Sequence, residues 1–245
     1  MTIKREREYE RRRYEKWQER QAAARRKRKE RQRFVAGAAI VALILAVGIG
    51  AVVVNNQNSP DASATEPTPT QSAAVPDPSL AENRTWTGDI SLTQGDLGIE
   101  LDGAAAPQAV ANFVTLAGQG YFDKTKCHRL TTEGIYVLQC GDPTGTGSGD
   151  PGYKWGPIEN APADDMYPAG TIAMARQGGD GSSMGSQFFI VYEDSSIPSD
   201  EAGGYTVFGH VTSGLDVVKA IADAGTTEGT ESPVSDVIIE GVNIQ

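Results

Sequence analysis

The stretch Lys126–Gly141, KCHRLTTEGIYVLQCG, decides the fold. It holds two short strand-like runs, Lys126–Leu130 and Tyr136–Gln139. If Arg129 and Gln139 share one face of this strand pair, alternation with period two puts Cys127 on that face and Cys140 on the other. A bulge would bring the two sulfurs back together, so a Cys127–Cys140 disulfide stays open at this point. Runs of the same kind recur at Thr171–Ala175, Gln187–Tyr192 and Thr206–Val211. Before them stand Trp86–Leu92 and Leu97–Leu101, joined by the turn Gln94-Gly95-Asp96, and Val237–Ile244 closes the chain as a strand. Two amphipathic helices interrupt the strands: Pro107–Ala117, with proline in its first turn, and Leu215–Ala224, ended by Gly225. Many short strands, two helices and Gly-rich turns predict a mainly β domain, a closed antiparallel barrel or sandwich, because closure removes exposed edges.

That domain, Arg84–Gln245, carries 22 acidic and 7 basic side chains. The segment 1–33 is its opposite, with 15 Lys+Arg against 6 Asp+Glu. Between them lies Phe34–Val54, 21 residues without a charge. About 20 apolar residues at a rise of 1.5 Å cross a hydrocarbon core of about 30 Å. The sequence therefore predicts a single membrane-spanning helix, with the basic arm holding the N-terminus in the cytoplasm and everything after Val54 outside. A cleaved secretory signal is the rival, but its basic region is short and its apolar core only about 7–15 residues. Here the span reads as an uncleaved anchor. The arm reads as a topology signal in contact with lipid headgroups, with Tyr9, Tyr14 and Trp17 at the interface, rather than as a nucleic-acid site. Asn55–Asn83, with five prolines among Ser, Thr, Ala and Asp, reads as a disordered tether.

Composition excludes several chemistries. Two cysteines and two histidines leave no multi-cysteine zinc module and little material for a histidine-built metal site. Outside the membrane a disulfide would persist. Gly147–Gly152 matches G-x-G-x-x-G, yet Asp150 would repel phosphate, Pro151 interrupts, and no helix follows. Gly181-Ser182-Ser183-Met184-Gly185 matches G-x-S-x-G, yet a strand-like run follows where a helix is needed, and the one later histidine, His210, lies in a strand pattern. Asp164-Asp165 lacks the spacing of a calcium loop.

The blocks CHRL (Cys127–Leu130), VLQCGDPTGTG (Val137–Gly147), YPAGTIAMA (Tyr167–Ala175), GSQFFI (Gly185–Ile190) and YTVFGHV (Tyr205–Val211) resemble the cyclophilins, the peptidyl-prolyl cis–trans isomerases. ANFVTLA and GLDVVKAI match the family's two helices, so the resemblance covers nearly all of Arg84–Gln245, and the wording of LQCGDPTGTG is similar to actinobacterial members. It implies a closed eight-stranded antiparallel β-barrel with two capping helices, here preceded by a transmembrane helix. It also implies catalysis at X–Pro bonds without a cofactor. Arg129 holds the catalytic position and Gln139 the glutamine facing it. Phe189 matches the floor of the proline pocket, Gln187 its polar neighbour and Ile197 its leucine. His128 is the histidine before the arginine. Met174, Ala175, Arg176 and Gln177 match the segment that pairs with the substrate before proline.

The chain departs from the family in four places. Nine residues separate Arg129 from Gln139, more than in the commonest form, so the pocket's phenylalanine and methionine map onto Tyr136 and Val137. Ser196 falls where many members carry the tryptophan important for cyclosporin, which puts drug affinity in doubt. Tyr205 stands in place of histidine at the pocket rim, and Arg176 replaces asparagine, adding a positive charge beside the residue before proline. The expected partners are proline-containing exported or surface polypeptides. The alternative is a membrane-tethered module that binds such segments without turnover.

Overall fold

A computed structural model describes residues 74–245. The basic arm, the apolar Phe34–Val54 and most of the linker lie outside the described residues. Among the described residues no helix is long and apolar enough to cross a membrane. The elements in chain order are β1 (Thr85–Leu92), β2 (Gly95–Asp102), α1 (Pro107–Gly118), β3 (Thr125–Lys126), β4 (Arg129–Glu133), β5 (Ile135–Cys140), β6 (Met166–Tyr167), β7 (Thr171–Met174), β8 (Phe188–Val191), β9 (Ser195–Ser196), β10 (Val207–Ser213), α2 (Leu215–Ala224) and β11 (Ile238–Ile244). The predicted helices and the opening hairpin are all present. The folded unit also reaches back past Arg84: Pro78–Ala81 forms a 3-10 turn, Ala81 is fully buried, and Trp86 Nε1 donates to the Ala81 carbonyl at 2.8 Å.

Nine strands form one antiparallel sheet in the order β3-β11-β1-β2-β10-β7-β8-β5-β4, and β6 pairs with β9 apart from it. The expectation of a closed eight-stranded barrel is corrected on both counts: there is one more strand, and β3 and β4 at the ends of the sheet are not paired. The cause lies in the run predicted as a single strand, Lys126–Leu130. Its first part pairs with β11, and Cys127 N–H still donates to the Val237 carbonyl at 2.8 Å. One residue later His128 N–H turns to the Gln139 carbonyl at 3.1 Å, and from Arg129 on the chain pairs with β5. The run changes partner at mid-length, so its halves end up at opposite ends of the sheet.

Inside the curled sheet Phe113 of α1 contacts Phe122, Phe188 and Phe208 at ring-centroid distances of 5.0, 5.3 and 5.3 Å. These aromatics join Leu97, Ile99, Leu101, Leu138, Ile172 and Ile190 in the main core. The N-terminus of α1 has no local side-chain cap. Glu159, from a distant loop, supplies one by accepting from the N–H groups of Gln108 and Ala109, each at 3.0 Å. A carboxylate there meets both the unpaired donors and the positive end of the helix dipole.

A second, smaller cluster lies on the other face of the sheet: Val137, Tyr167, Ala173, Phe189, Val191 and Ile197. Strand β8 is therefore buried on both sides, which explains its uninterrupted apolar sequence FFIV. Alternation sends Phe188 and Ile190 inward and Phe189 and Val191 outward.

Candidate active site

Strand registers set out a row across the outer face. Arg129 pairs with Gln139, Gln139 with Phe189, Phe189 with Ala173, and Ala173 with Val207. Side chains of directly opposed residues leave the same face, so positions far apart in sequence stand side by side. At the centre of the row is a cavity of about 110 Å³ lined by Arg129, Ile135, Val137, Gln139, Ala175, Arg176, Phe189, Ile197 and Tyr205. Its floor is apolar and its rim carries a guanidinium and a carboxamide. A second cavity of about 240 Å³ shares Gln139, Ala175 and Arg176 with the first and continues past Gln177, Gln187 and the loop Gly147–Asp150. Among the described residues no group bonds the main-chain N–H or C=O of Arg176, which leaves an extended edge on which another chain can pair.

The polar groups are ordered by one chain of hydrogen bonds. Gln187 Nε2 donates to the Gly149 carbonyl at 2.9 Å, which turns Gln187 Oε1 toward Gln139 Nε2, also 2.9 Å away. Gln139 Oε1 is then left to accept from Arg129 Nη1, at a long 3.4 Å. The loop that leads to Gly149 is held by Asp142, which is fully buried and accepts from the N–H groups of Thr144, Thr146 and Gly147. Burial works against ionisation of this carboxyl, but those bonds outweigh it and hold its pKa down at about 2.

Cys127 and Cys140 are joined in a disulfide. Because His128 and Arg129 both stand against Gln139, the ladder slips by one residue and Cys127 comes opposite Cys140. Strict alternation separates the two sulfurs, and the slip reunites them.

The slip also removes His128 from the site. Among the described residues its two buried ring nitrogens have no hydrogen-bond partner, the ring lies beside Gly147, and burial lowers its pKa. Met174 faces the main core and is fully buried there. Tyr136 is likewise turned inward, its ring 5.9 Å from Tyr192. The cavity wall on β5 is Val137 together with Ile135, and of these two Ile135 is the one the sequence reading missed. Counting back by twos from Gln139 gives Val137 and Ile135, so the signal was present; the tip glycine Gly134, at φ +80°, lets the strand extend that far.

Arg176 does not present a free charge. Its side chain is fully buried, Nη1 and Nη2 pair with the two carboxylate oxygens of Asp200 at 3.1 and 2.9 Å, and Nε donates to the Gly204 carbonyl at 2.8 Å. This guanidinium holds the Asp200 carboxyl at about 2. It also lies 4.6 Å from the centre of the Tyr205 ring, which meets Phe189 edge-on at 5.6 Å. Tyr205 is thus a wall of the cavity backed by the ion pair. Ser196 is exposed on β9.

The nucleophile-elbow motif is a turn. Ser183 Oγ donates to the Asp180 carbonyl at 2.7 Å and accepts from Gln177 N–H at 2.8 Å. His210 lies on β10 beside Glu100. Among the described residues no cluster of His, Cys, Asp and Glu could hold a metal ion.

Residues 87–244 match the family model described as cyclophilin type peptidyl-prolyl cis-trans isomerase/CLD. The chain is 41% identical over 174 residues to a probable peptidyl-prolyl cis-trans isomerase B of Mycobacterium leprae, covering 65% of this chain and 57% of that one. It is 44% identical over 163 residues to the corresponding protein of Mycobacterium tuberculosis, covering 61% and 51%. It therefore spans little more than half the length of these relatives. A cyclophilin-type isomerase from Cryptosporidium parvum, solved in the presence of the dipeptide Ala-Pro, superposes with a TM-score of 0.57 at 30% identity, over 65% of this chain and 98% of that one.

Proposed function

We propose, from the premise that the chain belongs to the cyclophilin-type peptidyl-prolyl cis-trans isomerase family, that it accelerates cis–trans exchange at X–Pro bonds. The observation that carries this is the meeting of Arg129, Gln139 and Phe189 around one small cavity. Rotation about an X–Pro bond has a barrier of about 18–20 kcal/mol because twisting breaks amide resonance. In the twisted amide the prolyl nitrogen regains a lone pair. A donor placed there binds the transition state better than either planar ground state. Arg129 is that donor. The proline ring rests on Phe189 between Val137, Ile135, Ile197 and Tyr205. Gln139 holds the guanidinium and Gln187 orders Gln139. The main chain of Ala175, Arg176 and Gln177 pairs with the residues before proline. The reaction draws on hydrogen bonding and shape alone.

The finer reading is a protein anchored in the cell membrane by Phe34–Val54, with its N-terminus in the cytoplasm and its isomerase domain outside, acting on exported or surface polypeptides. The uncharged 21-residue span, the basic arm before it and the Cys127–Cys140 disulfide support it, since disulfides persist in oxidising compartments. The excess of acidic groups on the domain favours neutral or basic clients. Identity to the mycobacterial relatives supports an actinobacterial source.

The test is exchange of a proline tetrapeptide with the full chain and with Arg129→Ala. Acceleration by the first and loss of most of it in the second is expected. Peptide binding without acceleration in either would make the pocket a recognition site.

A further inference from the structure

The segment Gly225–Asp236, between α2 and β11, lies along the free edge of β4. Leu130 N–H donates to the Glu231 carbonyl at 2.6 Å, and the Ser232 hydroxyl reaches the His128 carbonyl at 3.4 Å. The segment is closed on itself by Thr227 N–H on the Ser232 carbonyl and Val234 N–H on the Gly225 carbonyl, at 2.9 and 3.0 Å. So held, Glu231 brings its Oε2 within 2.6 Å of Arg129 Nε.

We propose that Glu231 positions Arg129 for the reaction. The carboxylate fixes the Nε edge of the guanidinium, Gln139 steadies Nη1, and Nη2 is left as the donor to the prolyl nitrogen. This rests on the isomerase reading of the pocket. Gln139 alone is a weak restraint, since its bond to Nη1 is 3.4 Å long. The arginine side chain keeps 35% of its exposure, and a long side chain at such a site samples many rotamers unless a second contact selects one. A short charge-assisted bond supplies that contact. Glu231 lines neither cavity, so its influence on a peptide bound there passes through Arg129. As an ion pair half open to water it adds little to stability. Its effect is geometric.

The experiment measures cis–trans exchange by the full chain carrying Glu231→Ala or Glu231→Gln, each alone and together with Arg129→Ala, with the Nε–H resonance of Arg129 followed by NMR. Glu231→Ala is expected to lower kcat about fivefold while KM stays within about twofold, with Glu231→Gln intermediate. In the Arg129→Ala background neither change should lower the rate further, and the Arg129 Nε–H signal should move in both variants. An unchanged or raised kcat in Glu231→Ala overturns the proposal. So does an equal fall in the Arg129→Ala background, which marks a structural effect. No exchange by the wild type sinks the isomerase reading and this proposal with it. That outcome is told apart because the Nε–H signal still moves on Glu231→Ala.

Discussion

Phe188 and Phe189 are consecutive in β8 and belong to different parts of the molecule: the first contacts Phe113 and Phe122 inside the sheet, the second floors the cavity outside it. Truncating each should therefore injure a different property. Phe188→Ala is expected to cost about 3–5 kcal/mol of stability. Phe189→Ala should cost less and should cut kcat/KM for a proline peptide more than about tenfold, because the proline ring loses its apolar floor. Urea unfolding and exchange kinetics on the same two variants check the division. Equal losses of stability would refute it.

The disulfide secures the slip that aims Arg129. Reduction, or the pair Cys127→Ala and Cys140→Ala, should lower stability by about 3 kcal/mol, as expected for a link spanning a short loop. Exchange kinetics should show kcat falling with KM nearly constant, because the peptide's binding wall on β7 and β8 is untouched.

Two carboxyls make acid stability predictable. Asp142 and Asp200 are held at about 2 in the folded protein against a usual 3.8. A lowered pKa means the folded state binds fewer protons than the unfolded chain, so their contribution is complete above about pH 4 and fades as pH falls toward 2. Asp142→Asn and Asp200→Asn should flatten the loss of stability across that interval, as read by thermal unfolding at successive pH values.

Glu159 caps a helix from 50 residues away. Glu159→Ala should destabilise the protein by about 1–2 kcal/mol, and Glu159→Gln by less, with kcat and KM unchanged. A loss of activity without a loss of stability would contradict the capping role.

Much of the fold was legible because its signals are local. Period two in the strands, a first-turn proline in α1 and glycine after α2 place these elements to within a residue or two. The row Arg129–Gln139–Phe189 was legible only through resemblance, since register between distant strands has no local mark. The same holds for Glu231 and Asp200: nothing near them in sequence says that each meets an arginine. Tyr136 in place of Ile135 is a different kind of miss. It came from matching aromatic to aromatic, while the backbone obeys alternation from Gln139. The open sheet was hidden because a run of five residues looks like one strand whether or not it changes partner halfway.

That change of partner sets an order of assembly. Synthesis proceeds from the N-terminus, so Arg129, Gln139 and Phe189 all emerge well before Glu231, Ser232 and β11. Yet Cys127 N–H bonds Val237 and Leu130 N–H bonds Glu231. A nascent chain already carrying every pocket side chain still lacks the segment that fixes its arginine, so the site is finished only after Glu231 and β11 have emerged.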